Sequence, residues 1–326
     1  MAHGHPEAVL PCTRTGHFSG NGPDSVREMN RPDLTSCLLM AFAGALWGIH
    51  GPALKFAYRA GFTPPQLVVG ECLVGAVFFG LAAFSQRAPI PRSPAFWGRL
   101  LLAAVIGTGV TLFLFQAYQL GPIPVGATLL FLYVPFTQML NAVVDRRWPD
   151  RLESASAVLV LAGAALASDF IQLARGANLA GAPHAILAAA CFAGFFVITS
   201  RIGGTGTPVL RSFVCCAVST GLIAALGLAR GWDLVPSVAP STTAIWFLLL
   251  GVFGQVIPVF VMVHFGPRTG SGLGSILTST ELPVAVVASA LLVEDPVRPA
   301  QWGGAGLVLV GILLPHLGRR AGAAKE

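Results

Sequence analysis

Ionisable side chains occur inside apolar stretches of this 326-residue sequence, and each of them needs a physical reason. A charged side chain at the centre of a bilayer costs about 2.5 kcal/mol or more. Glu281, in the sequence TSTELP, falls near the middle of one apolar stretch. It could bind a proton, coordinate a cationic group of a ligand or pair with a neighbouring helix. The structural alternative is a protonated carboxyl group that is hydrogen-bonded within the protein.

Two further pairs of candidates lie in the first two apolar stretches. Lys55 and Glu71 have opposite charges and similar predicted depths, so we predict that they form an ion pair, either structural or gating. The alternative is that Lys55 extends to the outer interface, as long basic side chains do. Trp47 and His50 are about one helical turn apart and therefore share a face. His50 could titrate near neutral pH, although a histidine that only hydrogen-bonds a backbone carbonyl is the more frequent case.

Polar residues also follow the fourth apolar stretch at helical spacing. Tyr133, Thr137 and Asn141 are four residues apart, and Gln138 adjoins them. Hydrogen bonds between helices would explain such a stripe, but its length favours a face toward water or a ligand. Further hydrogen-bonding groups in the third and eighth stretches are Gln116, Tyr118, Gln255 and His264.

The composition indicates a membrane protein that has almost no soluble part. Hydrophobic residues make up 54% of the chain and charged residues 10%, whereas soluble domains have about 25% charged residues. Apolar runs long enough to cross about 30 Å of hydrocarbon recur after residue 35. We predict ten transmembrane helices, at 36–56, 66–85, 98–118, 122–144, 152–170, 184–200, 209–229, 243–265, 272–293 and 300–317.

The two halves of the chain repeat without a gap. Pro135 aligns with Pro283, and Gly163 with Gly311, at the same interval of 148 residues. Five helices in each half would make the second half enter the bilayer from the opposite side. Such inverted repeats are typical of secondary transporters, in which interrupted helices at corresponding places mark a site near the midplane. Because each proline lies near the middle of a span, we predict an interruption at both.

The basic residues follow a topology, so the net charge of +6 does not indicate nucleic acid as a partner. If the N-terminus is inside, only Arg59, Arg175, Arg230 and Arg298 fall in outer loops, and most other basic residues fall in inner segments. The positive-inside rule then predicts that both termini are cytoplasmic.

The first 33 residues are polar and lack the apolar core of a signal peptide, so we predict a disordered cytoplasmic tail at 1–33. The spacing of His3, His5, Cys12 and His17 matches no standard metal site, and no metal is expected. The other cysteines lie in or beside apolar stretches, where free cysteine acts as a small hydrophobe. No disulfide framework is expected.

Three stretches resemble the drug/metabolite transporter superfamily, in the ten-helix form that has two EamA repeats. They are ALWGIHGPALKFA, TLLFLYVPFTQMLNAVVDRRWPDRLESASAVLVLAGAAL and SILTSTELPVAVVASALLVEDPVRPAQWGGAGLVLVGILL. The resemblance covers about residues 36–317. It implies a first EamA repeat at 34–172 and a second at 183–317, joined by a linker near 171–183 and followed by a basic cytoplasmic tail at 318–326.

The chain differs from the family pattern at several charged positions. Glu71 stands where relatives usually have arginine, and Glu281 lies two residues before Pro283, where relatives often have glutamate directly before the proline. The acidic residue that ends the fourth helix is also altered, because Asp145 lies one place from the register of Glu294. The charge of the cavity is therefore expected to differ from that of typical members.

The sequence thus predicts an all-α polytopic membrane protein, with ten transmembrane helices as two inverted five-helix repeats. The resemblance implies a secondary transporter in the bacterial cytoplasmic (inner) membrane that exports amino acids or related compounds. The alternatives are an uptake carrier, efflux of amphiphilic drugs or, in another class, a membrane-embedded receptor or scaffold. No phosphate-binding Gly-Lys loop, His-Glu-x-x-His pair or Gly-x-Ser-x-Gly elbow occurs, so neither an enzyme nor a cofactor is expected.

The expected partners are a small-molecule substrate and the lipid bilayer, with protons as a candidate coupling ion, in a monomer or homodimer. The residues predicted to bind substrate or to gate access are Trp47, His50, Lys55, Glu71, Gln116, Tyr133, Pro135, Gln138, Asn141, Gln255, Glu281 and Pro283.

Overall fold

The computed structural model describes residues 34–121, 123–146, 148–168, 170, 179–202, 206–292 and 297–323. Within these ranges the regular structure is entirely helical, and eight helices are long and apolar enough to cross a membrane by themselves. The all-helical membrane fold predicted from the sequence is therefore confirmed. The predicted tail at 1–33 lies outside the described residues.

The helices of the first half correspond to the first five predicted spans. They are α1 (Leu34–Arg59), α2 (Pro64–Ser85), α3 (Pro94–Leu120), α4 (Ile123–Leu130), α5 (Tyr133–Asp145) and α6 (Arg151–Ala167), with α4 and α5 together forming the fourth span. Both α2 and α3 begin with proline, whose missing N–H is harmless in the first turn. Before α3, Ser93 Oγ accepts a hydrogen bond from the Phe96 N–H and caps the helix.

The second half repeats this order after a 3₁₀ turn at Leu179–Gly181. Its helices are α7 (Ala182–Arg201), α8 (Pro208–Ala229), α9 (Pro240–Leu250), a π-helical segment (Gly251–Val256), α10 (Ile257–Thr269), α11 (Ser271–Thr278), α12 (Glu281–Leu292) and α13 (Pro299–Ala323). The eighth span is continuous from Pro240 to Thr269, and the ninth is divided into α11 and α12. Residues 171–178 of the predicted linker lie outside the described residues.

The last helix is longer than its apolar part. It continues to Ala323, six residues beyond the predicted end of the tenth span at 317, while its apolar part is Pro299–Pro315. Residues 318–323 of the predicted basic tail are therefore helical. Residues 324–326 lie outside the described part of the chain.

The two mid-span prolines interrupt their helices in the same way. Each is the third residue of its helix, Pro135 in α5 and Pro283 in α12. Without an N–H, neither can donate to the carbonyl four residues earlier. Instead, the carbonyl of Phe131 accepts a hydrogen bond from the N–H of Val134 at 3.1 Å, and the carbonyl of Ser279 accepts one from the N–H of Leu282 at 3.2 Å. A 3₁₀-like turn therefore separates the two parts of each span.

Contacts between α6 and α13 show that the two halves are inverted. A methyl group at Gly163 would lie 2.6 Å from the carbonyl oxygen of Gly304, and Ser156 Oγ donates to the carbonyl of Gly311. At the repeat interval, Ser156 corresponds to Gly304 and Gly163 to Gly311. Replacing each residue by its equivalent in the other repeat therefore turns one of these contacts into the other. Such reciprocity is the mark of a two-fold axis. The residue numbers run in opposite directions across the contact, so the two helices are antiparallel.

This close contact predicts an unequal effect for two alanine substitutions in α13. A Cβ at Gly304 would lie 2.5 Å from the backbone of α6, whereas a Cβ at Gly306 has nothing within 4 Å. We expect Gly304→Ala to lower the free energy of unfolding by about 1–3 kcal/mol because the helices must move apart. Gly306→Ala should be neutral or stabilising, since alanine favours helix. Thermal unfolding of the purified protein in detergent measures both, and equal stability of the two variants would contradict the reciprocal contact.

Candidate functional site

A cavity of about 280 Å³ lies between the two halves. Helices α1 to α4 form its wall in the first half; α7, α8, the π segment, α10 and α12 form it in the second. Five of the residues predicted from the sequence line it, namely Trp47, His50, Glu71, Gln255 and Glu281. Most of the remaining wall is apolar and includes the rings of Phe192 and Phe195. A concave, mostly apolar cavity with a few polar groups is the usual form of a small-molecule site.

The pair His50 and Glu71 joins α1 to α2 at the cavity. His50 Nε2 lies 3.0 Å from Glu71 Oε1, and the two side chains are 17% and 9% exposed. The partner that the sequence analysis gave Glu71 was Lys55. Lys55 is exposed near the end of α1 and is not among the residues that line the cavity. His50 lies more than one turn deeper in α1, and this depth brings its ring to the carboxyl group of Glu71.

Trp47 joins α1 to the π-helical segment through a backbone hydrogen bond. The indole Nε1–H of Trp47 donates to the carbonyl of the buried Gly254 at 2.8 Å. The π-helical segment at 251–256 contains the same glycine, and π-helical turns occur frequently at functional sites.

Gly254 also makes room for the imidazole of His50. A Cβ at position 254 would collide with the ring of His50, so only glycine fits there. The π segment thus contacts both polar residues of α1 that line the cavity. The sequence analysis did not single out Gly254. Its role depends on the ring of His50, which the sequence alone does not place against it.

Glu281 is the first residue of α12, immediately after the break in the ninth span, and it lines the cavity. Among the described residues, no side chain forms a hydrogen bond with its carboxyl group. At the repeat interval Glu281 corresponds to Tyr133, the first residue of α5. Tyr133 is buried instead, and its hydroxyl lies 3.1 Å from the carbonyl of Ser275 in α11 and within bonding distance of the side chains of Thr278 and Ser279.

The polar stripe of the fourth span is not part of the cavity wall. Thr137 donates to the Tyr133 carbonyl at 2.6 Å, and Gln138 Nε2 donates to the Glu153 carbonyl at 2.8 Å. Asn141 bonds to residues of α7 and α11. The side chains of the stripe hydrogen-bond within the bundle, because α5 turns this face toward the second half and α6.

One end of this stripe forms a hydrogen-bonded cluster between the halves, which we call the latch. Arg201 Nη2 donates to Asn141 Oδ1 at 3.0 Å and to Asp145 Oδ2 at 2.8 Å. Ser271 Oγ donates to the same Asn141 oxygen at 2.8 Å. Asp145, Arg201 and Ser271 each stand at an end of their helix, so the latch lies at one face of the bundle.

The remaining predicted residues lie outside the cavity wall. Pro135 and Pro283 interrupt their helices, and Gln116 is half-buried in α3 without lining the cavity. Within the described residues, no three His, Cys, Asp or Glu side chains are placed to hold a metal ion. His3, His5, Cys12 and His17 lie outside them.

Comparisons with known proteins agree with this architecture. The model of the EamA-like transporter family matches twice, over residues 34–169 and 179–315. The chain therefore belongs to the EamA-like transporter family, whose members are membrane transporters of the drug/metabolite superfamily.

Comparison with solved structures shows the fold, and comparison with curated proteins gives no significant match. Twenty-nine chains of solved structures match this one. One of them, described as "Crystal structure of protein", has a TM-score of 0.71 and 16% sequence identity, and the alignment covers 88% of this chain and 99% of that one.

The bond between Trp47 and Gly254 predicts a loss of stability when the indole N–H is removed. Trp47→Phe keeps an aromatic ring but removes this hydrogen bond to a buried carbonyl, and such a bond contributes about 0.5–1.5 kcal/mol. We therefore expect a lower free energy of unfolding in detergent. Trp302→Phe is the control, because Trp302 is 49% exposed and the change should stay within about 0.5 kcal/mol. Similar losses in both variants would mean that the Trp47 bond adds nothing specific.

Proposed function

We propose that this protein is a secondary transporter that moves small metabolites by alternating access through the cavity between its two halves. The observation that carries the proposal is the position of Glu281. It stands at the break of an interrupted helix and lines a cavity to which both repeats contribute. Broken helices near the midplane of inverted repeats are where secondary transporters bind their substrates.

Two layers of contacts separate the cavity from the face that carries the latch. Glu281 lies ten residues from Ser271, roughly 15 Å at 1.5 Å per residue. Between them the ring of Tyr133 packs on Phe192 and Phe196, with ring centroids 4.6 and 5.8 Å apart. In the other direction the cavity reaches Val68, about one turn from the start of α2. This arrangement fits a carrier that is closed on the latch side.

The sidedness follows from the distribution of basic residues. With both termini in the cytoplasm of a bacterium, the latch lies on the cytoplasmic side and the cavity extends outward. Rocking of one half against the other would open the latch and close the outer end. The close α6–α13 contact, made largely by backbone atoms, would let the halves stay in contact during this motion.

The substrate class and the driving force are further parts of the proposal. Amino acids or related compounds are the expected substrates, with export as the direction. Protons are the expected coupling ion, because three ionisable side chains, Glu281, His50 and Glu71, line the cavity. Moving a solute in this way needs neither a catalytic group nor a cofactor.

Glu281→Gln tests the coupling. We expect uptake of a labelled amino-acid panel into proteoliposomes to be saturable and stimulated by a pH gradient. The variant should lose this stimulation, because glutamine cannot exchange a proton. The variant would also lose the charge-assisted hydrogen bond from the substrate to the Glu281 carboxylate, worth about 1.5–3 kcal/mol, and this loss would lower the transport rate roughly tenfold or more.

Glu153→Gln is the matched control for this experiment. It removes the same charge outside the cavity, in the first turn of α6, where glutamine can still complete the capping box. Its transport should equal that of the original protein. Stimulation by the gradient that survives in Glu281→Gln would contradict proton coupling through this residue.

Arg201→Gln tests the latch. A glutamine side chain lacks the positive charge that bonds Asp145, so the halves should separate more easily on that side. We expect Cys215, which lines the cavity, to react faster with a membrane-impermeant thiol reagent applied from the latch side. The loss of one charged hydrogen bond should raise the population of the form that is open on the latch side roughly tenfold.

The labelling uses a chain in which Cys215 is the one remaining cysteine. Arg99→Gln is the control, since Arg99 is an exposed arginine near the start of α3 and not part of the latch. Equal labelling rates in Arg201→Gln and Arg99→Gln would show that the latch does not govern access.

A further inference from the structure

The charged groups on the cavity wall are mostly acidic. Glu71 and Glu281 contribute carboxyl groups and His50 an imidazole, while no Lys or Arg side chain of the described residues lines the cavity. An anionic ligand would therefore meet two carboxyl groups and at most one positive charge. Opposite charges attract strongly in a medium of low dielectric constant, and like charges repel there equally strongly.

The one positive group is already engaged. His50 Nε2 lies 3.0 Å from Glu71 Oε1, so a protonated His50 balances the charge of Glu71. Glu281 forms no hydrogen bond with another side chain in the described part of the chain. When all three groups are charged, the wall keeps one net negative charge, and Glu281 carries it. A single positive charge on a ligand would balance the cavity.

We propose that the ligand of this cavity is a small organic amine bound as its monovalent ammonium ion, with the nitrogen at Glu281. The inference rests on the proposed transport function and narrows its substrates, from amino acids and related compounds to amines that have no carboxylate. An amino acid would bring a carboxylate as well, and no arginine or lysine of the described residues lines the wall to receive it. An amine without a carboxylate brings no negative charge that would repel the carboxyl groups of the wall.

The rest of the wall suits the apolar part of such a ligand. Trp47, Phe192 and Phe195 present aromatic rings, and aromatic faces attract ammonium groups as well as hydrocarbon. Thr111 and Gln255 add hydrogen-bonding groups to the same wall. The volume of about 280 Å³ lies just below the usual 300–1,000 Å³ of ligand pockets, so the ligand should be small.

Two sets of matched compounds separate the effects of charge from those of shape. The first set is isobutylamine, valine and isovalerate; the second is 2-phenylethylamine, phenylalanine and 3-phenylpropionate. Within each set the hydrocarbon is shared, and the compounds differ in carrying an amine, both groups or a carboxylate. Binding to the purified full chain is measured by calorimetry at pH 7, and uptake of the same compounds is measured in proteoliposomes.

We expect the amine of at least one set to bind roughly tenfold or more tightly than its amino acid, with no binding of the carboxylate. Glu281→Gln should abolish this preference, Glu281→Asp should retain it with weaker binding, and Glu153→Gln should leave it unchanged. The Asp variant keeps the test decisive if the Gln variant does not fold.

Other results would overturn the proposal in recognisable ways. Uptake of valine or phenylalanine without binding of the amines would reject the amine class and leave the transport function standing. Amine binding without uptake of any compound would support the ligand class and reject the carrier. Equal amine affinity in Glu281→Gln would reject Glu281 as the binding group. Failure of all six compounds to bind would reject small amines as ligands.

Discussion

The structure depends on one constraint, which is that backbone polar groups in hydrocarbon must find partners within the protein. Two of the prolines in the described spans show how a lost helical donor is replaced. At Pro135 and Pro283 a tight turn supplies a donor from one residue nearer. Near Pro258 the indole of Trp47 adds a donor from another helix to the carbonyl of Gly254. Cavity-lining groups lie beside Pro283 and Pro258, where the backbone departs from a regular α-helix.

The two repeats use the same backbone device with different side chains. Tyr133 begins the helix after the first break, and its ring packs on Phe192 and Phe196. At the equivalent place in the second repeat, Glu281 faces a cavity, and Gly48 of α1 stands where Phe196 stands in the first. One break is therefore filled by aromatic rings, and the other borders the cavity. Because the side chains of the two repeats differ here, the cavity is not symmetric about the two-fold axis.

Hydropathy and the repeat interval were enough to predict the fold. The mid-span prolines were enough to predict the interrupted helices, because a missing N–H acts locally. The rotation of each helix about its own axis was not predictable, since it depends on how all the spans pack against one another. For this reason the polar face of α5 was assigned to the ligand although it packs against the second half.

The contact between His50 and Glu71 was not predicted, because hydropathy gives the depth of a residue but not the direction of its side chain around the helix. Gly254 was not predicted because its role depends on the ring of His50, which packs against it only in the folded bundle. The latch was missed because Arg201 lies at a helix end, where basic residues are common and indicate topology first.

The difference between Tyr133 and Glu281 has a consequence for the energy of the two access states. In the proposed alternating access, a protein with identical inverted halves would have inward-open and outward-open forms related by a two-fold rotation and equally populated. Here the exchange of halves would put a carboxyl group where a phenol is buried, so the two forms would differ in free energy. Under that mechanism the empty protein would rest mainly in one form and show different apparent affinities on its two sides. Net direction would still be decided by the gradients across the membrane, because unequal resting states change rates and not the equilibrium.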